Sequence, residues 1–259
     1  YQQAQALDPA QPEVVAALAN IQRAIVDHNF AAAMSRGYMA LQGGRATEAR
    51  AAFQDALKIK PNAAEVNAAL QQAKDQETFA KLNDHIKAAQ RSEAAEIWAE
   101  ALAAWEQALT VDPNLVSAQQ GRQRSQSRGN LDGFLRGLIA NPLRLTDTDA
   151  RAQASQVLAD AARIPSPGPV LQAQLQHVSE FLQQALVPAS VQVQSDGLTQ
   201  VTLLRVGELG AFTTHTLSLT PGTYTAVGIR PGYRDVRQDF VVNIDGQAPL
   251  VTIACNETI

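Results

Sequence analysis

The sequence contains one cysteine, few aromatic residues and no run of 18 apolar residues. The single cysteine, Cys255, excludes a disulfide within the chain and a cysteine-based zinc site. Two alternatives remain for it: packing as a small apolar residue in a terminal strand, which we favour, and an intermolecular disulfide. Without a long apolar run, no segment of the sequence can span a membrane. The net charge of −4 implies no general attraction to nucleic acid or to anionic membranes.

Motifs that carry catalytic or metal chemistry are also missing. There is no His-Glu-x-x-His, no calcium loop and no Gly-x-Ser-x-Gly, and Gly-Glu-Leu-Gly at 207–210 lacks the ending of a phosphate loop. Helix capping explains Asp147 and Asp149 better than a catalytic pair does. Structural or surface roles are expected for the four histidines, His28, His85, His177 and His215. We therefore predict no catalytic residues, no metal and no cofactor.

Three arginines, Arg122, Arg124 and Arg128, lie close together in a polar segment. No aromatic residue lies between them, and the chain as a whole is acidic. A solvated helix face is therefore a better interpretation than a site for an acidic partner or a nucleic acid.

An internal repeat organises the first part of the chain. Four prolines recur every 52 residues, at Pro9, Pro61, Pro113 and Pro165. The positions eight residues before them hold Tyr1, Phe53, Trp105 and Val157. The positions five residues before them hold Ala4, Ala56, Ala108 and Asp160. A period of this kind predicts a helical repeat array whose fourth unit is degraded.

Two stretches within this array resemble tetratricopeptide repeats. The small, aromatic and proline positions of that family are held in 30–62 by Gly37, Ala49, Phe53, Ala56 and Pro61, and in 82–114 by Ala89, Ala101, Trp105, Ala108 and Pro113. Ala33 and His85 stand where the family commonly has a tryptophan. The resemblance implies paired helices that bind segments of other proteins along the surface lined by the first helix of each pair.

The period exceeds the family's period of about 34 residues by about 18, which is five whole helical turns. Such an insertion lengthens a helix and returns the same face to the same direction. We therefore predict long helices at 12–42 and 63–91, each about 45 Å long, alternating with short ones at 46–59 and 95–109. The long helices overhang their short partners and must bury the extra faces on each other or on a partner chain.

The third long helix is predicted to break, because Gly129, Gly133, Gly137 and Pro142 interrupt it. Thr146 or Asp147 is predicted to cap the next helix. A stiff connector at 165–169 then precedes an amphipathic helix at 170–186, which would close the array.

Period-two alternation begins after Pro188 and predicts short strands. They fall at 191–193, 201–203, 216–219, 224–227, 240–242 and 250–253, with turns at 196–197, 207–210, 221–222, 231–232 and 245–246. This spacing is typical of a small antiparallel β-sandwich.

The β segment resembles a PEGA domain. Leu219-Thr-Pro221-Gly222-Thr-Tyr224, followed by Gly232-Tyr233, matches an element of that family. The segment that names the family is absent, and 195–198 (Ser-Asp-Gly-Leu) stand near its place. The resemblance implies an extracytoplasmic module of bacteria and no defined ligand.

The sequence therefore predicts a multidomain α plus β protein. Domain 1–187 is a tetratricopeptide-like helical array with alternating long and short helices, and domain 188–259 is a PEGA-like β-sandwich. We expect a non-enzymatic scaffold of the bacterial cell envelope that binds proteins, with Tyr38, Asn83 and Gln90 as candidate contacts. Tyr38 has a core role as its alternative.

Two other functions stay open: a carbohydrate- or peptidoglycan-binding envelope protein, and the regulatory part of a larger protein whose catalytic or membrane portion lies upstream. Other proteins are the expected partners, with self-association through the long helices and cell-wall glycan as further alternatives, and no nucleic acid. Because the sequence begins within a repeat, we expect an upstream segment that anchors the protein to the inner membrane from a periplasmic or extracytoplasmic position.

Overall fold

A computed structural model describes Gln3 and residues 11–259. The repeat positions Tyr1, Ala4 and Pro9 lie outside the described residues. The chain divides into two compact units, Tyr1–Ser125 and Gln126–Ile259. The predicted α plus β architecture is confirmed, because helices predominate from Pro12 to Gln184 and strands begin at Ala189. The predicted domain boundary after residue 187 follows this change of secondary structure, whereas the division into compact units falls inside a helix.

Long and short helices alternate as predicted. They are α1 (Pro12–Gln42), α2 (Ala46–Ile59), α3 (Ala64–Ala94), α4 (Trp98–Val111), α5 (Val116–Ala140), α6 (Thr148–Ala161) and α7 (Pro169–Gln184). The bounds of α3 and α4 lie 52 residues after those of α1 and α2 at both ends. The chain between long and short helix also repeats, since Gly44 and Glu96 both have a positive φ, of 73° and 56°. None of the described helices is long and apolar enough to cross a bilayer.

The core of the first unit forms where each short helix packs on the long ones. The buried face of α1 follows a helical period: Phe30, Ala33, Met34, Gly37, Ala40 and Leu41. On α2, Phe53 is fully buried, and a Cβ atom added to Gly37 would overlap its ring. On α4, Trp105 is buried over Gly121 of α5 in the same way. One ring over one glycine thus recurs in both repeats, although the glycine belongs to different long helices.

A polar network lies beside the apolar cluster of the second repeat, at positions where the first repeat is largely apolar. The Glu93 carboxylate accepts hydrogen bonds from Trp105 Nε1 (2.9 Å), Ser125 Oγ (2.8 Å) and Arg124 Nη2 (2.7 Å). The positions 52 residues earlier hold Leu41, Phe53 and Ala73, all buried, with Gln72 in place of the arginine. Burial of the Glu93 carboxylate opposes ionisation, but the bonds from Arg124, Trp105 and Ser125 outweigh it and hold the pKa below its ordinary value.

The predicted break of the third long helix occurs at Pro142, but the glycines Gly129, Gly133 and Gly137 do not interrupt the helix as expected. Helix α5 runs without interruption through all three and ends at Ala140, before a 3₁₀ turn at Pro142–Thr146. Leu135 and Leu138 of α5 are fully buried, and this burial outweighs the helix propensity of about 1 kcal/mol that each glycine forfeits. The predicted cap is confirmed at Asp147, whose Oδ1 accepts a hydrogen bond from the backbone N–H of Ala150.

Seven strands form two sheets with one shared core. They are β1 (Ala189–Gln194), β2 (Gln200–Leu203), β3 (Gly207–Gly210), β4 (Thr214–Leu219), β5 (Gly222–Ile229), β6 (Val236–Val242) and β7 (Val251–Thr252), in the orders β4-β1-β7 and β3-β2-β5-β6. The predicted sandwich is confirmed, although β1 and β7 pair in parallel. The turn predicted at 207–210 is wrong: these residues form β3, and positive φ angles at Gly207 and Gly210 let this short edge pair with β2 across a bulge.

Two features close the sandwich. The turn after β1 is held by Asp196, whose Oδ1 accepts the backbone N–H groups of Leu198 and Thr199 at 2.9 and 2.7 Å. At the other end of the sequence, Cys255 is fully buried and donates its thiol to the carbonyl oxygen of Gly228. The environment of Cys255 therefore fits the packing role that we favour for it.

The turn between β6 and β7 contacts the helices of the same unit. Ile244 is only 4% exposed, and it packs in one cluster with Leu138, Leu145, Leu171 and Val178. The side chain of Ile244 thus joins the sandwich to the helical core of the second unit.

A double-mutant cycle tests the Glu93 network. Glu93→Leu should destabilise the protein by about 2 kcal/mol, because it leaves the Trp105 N–H and the Ser125 hydroxyl without an acceptor. In the Glu93→Leu background, Ser125→Ala should lower the free energy of unfolding by about 1 kcal/mol less than it does in the wild type. Ser92→Ala is the control, because the Ser92 hydroxyl bonds Glu100 and not Glu93. Its effect should add to that of Glu93→Leu. Urea unfolding measures each difference, and strict additivity with Ser125→Ala would contradict the network.

Acid titration tests the Asp196 turn. Hydrogen bonds from the backbone of Leu198 and Thr199, with a smaller contribution from Arg230, lower the pKa of Asp196 from about 3.8 to about 2. A lowered folded-state pKa contributes stability that is present above pH 4 and is lost as the pH falls towards 2. The difference in free energy of unfolding between the wild type and Asp196→Asn should shrink as the pH falls from 4 to 2. The stability of Arg230→Met should keep most of the wild-type pH dependence, because Arg230 contributes little to the lowered pKa. An unchanged advantage at pH 2 would contradict the assignment.

Candidate protein-binding groove

A groove of about 590 Å³ lies between the long helices α1 and α3. It is lined by Tyr38, Leu41, Gln42, Gln72, Asp75, Gln76 and Phe79. The two helices meet along this line because α2 packs against both of them, through the cluster that contains Phe53, Ala56 and Val66. The groove is therefore a direct product of the repeat packing.

Two aromatic side chains of the groove are exposed. Tyr38 is 42% exposed, and its ring lies edge-on to that of buried Phe53 with 5.2 Å between the centroids. Phe79 is 64% exposed. An aromatic ring that is fixed on one side by the core and open on the other can bury further area against a partner without losing much side-chain freedom.

The polar side of the groove consists of amides and one carboxylate. Gln76 Nε2 donates a hydrogen bond to the carbonyl oxygen of Leu41 at 3.1 Å. Asp75 Oδ1 accepts a hydrogen bond from Gln71 Nε2 at 2.7 Å. Lysine and arginine are absent from the lining. The groove thus combines apolar area, groups that can bond a peptide backbone and a single negative charge.

The structure places the three predicted contact residues differently. Tyr38 lines the groove, and its contact with Phe53 shows that it also packs on the core. Asn83 lies one helical turn beyond Phe79 and is half-buried, outside the lining. Gln90 occupies the position equivalent to Tyr38 in the second repeat and is exposed.

Sequence reasoning missed Phe79 because its spacing matches the apolar face of the helix. Its equivalent in the first repeat is Asp27, a charged residue, and that difference signals an exposed position. The arginine cluster was interpreted as a solvated helix face, and one of its members also makes an ion pair. Arg124 pairs with Glu93 at 2.7 Å, although more than half of its side chain stays in solvent.

Apolar residues are also exposed on the N-terminal half of α1. The large ones between residues 12 and 29 are Val15, Ile21, Ile25 and Val26. Burial of this overhang on a partner chain stays a prediction. In α3 the equivalent half is covered, since Val66, Ala69 and Ala73 are buried.

The second unit contains another groove, of about 680 Å³. Its lining includes Asn141, Arg144, Phe181, Asn243 and Asp245. Asn141, Asn243 and Arg144 can donate hydrogen bonds, and the two asparagines and Asp245 can accept them. The half-buried ring of Phe181 lies beside these groups. The lining of this groove differs from that of the first groove because it includes an arginine, Arg144.

Groups of three or more histidine, cysteine, aspartate or glutamate side chains that could hold a metal ion are absent from the part of the chain that the structure describes. Of the four histidines, His28 and His177 are exposed, whereas His85 and His215 are half-buried. The ring of His215 lies 5.3 Å from that of Phe212.

Comparisons with known proteins leave the family of the chain undefined. No protein-family model matches it, and no curated protein matches it. A solved structure described as that of surface layer protein SbsC, domains 1-6, aligns at 13% identity with a TM-score of 0.24. That alignment covers 85% of this chain and 45% of the other, so this chain spans less than half of the surface layer structure. A TM-score of this size supports no inference about fold or function.

Proposed function

We propose that this protein is a non-enzymatic interaction scaffold that binds a segment of another protein in the groove between α1 and α3. The observation that carries the proposal is the pair of exposed rings, Tyr38 and Phe79, that face solvent in a groove built by the repeat packing. Isolated exposed apolar residues are ordinary, but two aromatic rings in one concave site are typical of a binding surface.

The lining also defines the chemistry of the partner segment. Apolar side chains of the segment would cover Tyr38 and Phe79, and the amides of Gln42 and Gln72 would bond its backbone. Asp75 adds a negative charge that no lysine or arginine of the lining neutralises. The proposed ligand is therefore a peptide segment with apolar residues and at least one lysine or arginine.

The proposed location is the bacterial cell envelope, outside the cytoplasm. Its support is the resemblance of 219–233 to a PEGA domain. A periplasmic scaffold would present the repeat array to envelope proteins.

Peptide selection tests the groove. Peptides from a random display library that are retained on the purified chain should be rich in apolar and basic residues. Phe79→Ala should raise their Kd at least tenfold, about 1.4 kcal/mol, and Asp75→Lys should weaken the basic peptides most. Ile97→Ala is the matched control, because Ile97 is exposed in the same unit but outside the lining.

The proposal is overturned if no peptide is retained, or if Phe79→Ala and Ile97→Ala bind the selected peptides equally well. Circular dichroism of Phe79→Ala should match the wild type, because the exposed ring contributes little to the core.

The groove of the second unit favours glycan binding as a second candidate function. Its amide, guanidinium and carboxylate groups beside Phe181 can bond sugar hydroxyls while the ring covers an apolar sugar face. The full chain should then be retained on isolated peptidoglycan, and Arg144→Ala with Asn243→Ala should abolish retention. Equal retention of this double variant and the wild type would exclude the groove as the glycan site.

A further inference from the structure

Strand β4 forms an outer edge of the three-stranded sheet β4-β1-β7. Its six residues pair with β1 in an unbroken antiparallel register, from Ala189 opposite Leu219 to Gln194 opposite Thr214. Among the described residues, no other strand pairs with β4. One of its two backbone edges is therefore open.

The register shows which residues direct their backbone groups to the open edge. Just beyond the strand, Ser195 donates its N–H to the carbonyl oxygen of Thr213 at 3.0 Å. Opposed residues in an antiparallel pair alternate between bonded and non-bonded positions. His215 and Leu217 therefore bond β1, whereas Thr214, Thr216 and Ser218 direct their N–H and C=O groups away from it.

The open edge lacks the features that usually block strand addition. Between Thr214 and Leu219 there is no charged residue, no proline and no bulge. The other edges differ: β7 has two residues, β3 is four residues long with two glycines at positive φ, and β6 carries Arg237 and Asp239. Long, flat and uncharged edges are the ones that pair with another chain.

We propose that β4 is a homodimer interface, at which the β4 strands of two copies pair antiparallel about a two-fold axis through Thr216. In this arrangement Thr216 lies opposite its own copy, and Thr214 lies opposite Ser218. The three residues then form about six backbone hydrogen bonds between the copies. The two three-stranded sheets become one continuous six-stranded sheet.

A second copy of this chain fits the edge because the edge is complementary to itself. Cross-strand pairs of threonine with threonine and of threonine with serine are favourable, by about 0.2–1 kcal/mol each. All three side chains are exposed on the outer face of the sheet, so their pairing requires no repacking of the sandwich core. On the inner face, His215 would lie opposite Leu217 of the second copy and cover its half-exposed side chain.

Two substitutions of Thr216 test the interface in the full chain. Thr216→Lys places two like charges opposite each other at the axis and should raise the dimer Kd at least tenfold. Thr216→Pro removes the outward N–H at the centre of the edge, and it leaves the bonds to β1 intact because that N–H does not take part in them. Gln192→Lys is the matched control, since Gln192 is exposed on the same face, beside Thr216 and one strand further from the edge.

Sedimentation velocity over a range of protein concentrations measures the assembly. The expected result is a dimer that both Thr216 variants shift to monomer and that Gln192→Lys preserves. Hydrogen exchange should slow at the amides of Thr214, Thr216 and Ser218 as concentration rises. If Thr216→Pro fails to fold, Thr216→Lys decides the question.

The proposal is overturned by a wild type that stays monomeric at the highest concentration, by a dimer that survives both Thr216 variants, or by a dimer that Gln192→Lys disrupts equally. A dimer with fast exchange at these three amides would also contradict it and would direct attention to the exposed face of α1. The groove between α1 and α3 is unaffected by any of these results.

Discussion

The contact of one buried ring with a residue that has no side chain determines how the repeats stack. Phe53 lies over Gly37, and Trp105 lies over Gly121. At these two points the backbone of a long helix approaches a short helix closely enough that a methyl group would collide with the ring. In the first repeat the glycine lies on the long helix that precedes the ring, and in the second on the long helix that follows it. The glycine position thus marks the long helix that approaches each ring most closely.

The polar network of the second repeat accompanies this shift. Trp105 has an N–H group that must find an acceptor when buried, and Glu93 supplies it at the position where the first repeat has Leu41. The carboxylate in turn requires further donors, which are Ser125 and Arg124. The first repeat has Phe where the second has Trp, and the two repeats also differ at the positions of Glu93, Arg124 and Ser125. The difference in ring packing is thus accompanied by a difference in buried charge.

Much of the helical architecture could be predicted because periodicity and capping are local. The period of 52 residues defined α1 to α4, and Asp147 signalled the start of α6. The break was predicted correctly at Pro142 but wrongly at the glycines of α5, because glycine propensity is a local term, whereas burial of Leu135 and Leu138 depends on the tertiary fold. Strand β3 was missed since two glycines resemble a turn. In the groove, Tyr38 was predicted from the resemblance to a known repeat, but the exposure of Phe79 depends on which helix faces stay uncovered.

The insertion of Ile244 into the helical cluster has a mechanical consequence for the second unit. Its side chain bridges the sandwich and the helices α5 and α7, so a tension applied to the C-terminal strands is transmitted directly to the helical core. Sandwich and helices would then resist extension as one body, and a load on the strands would not first peel them away from the helices.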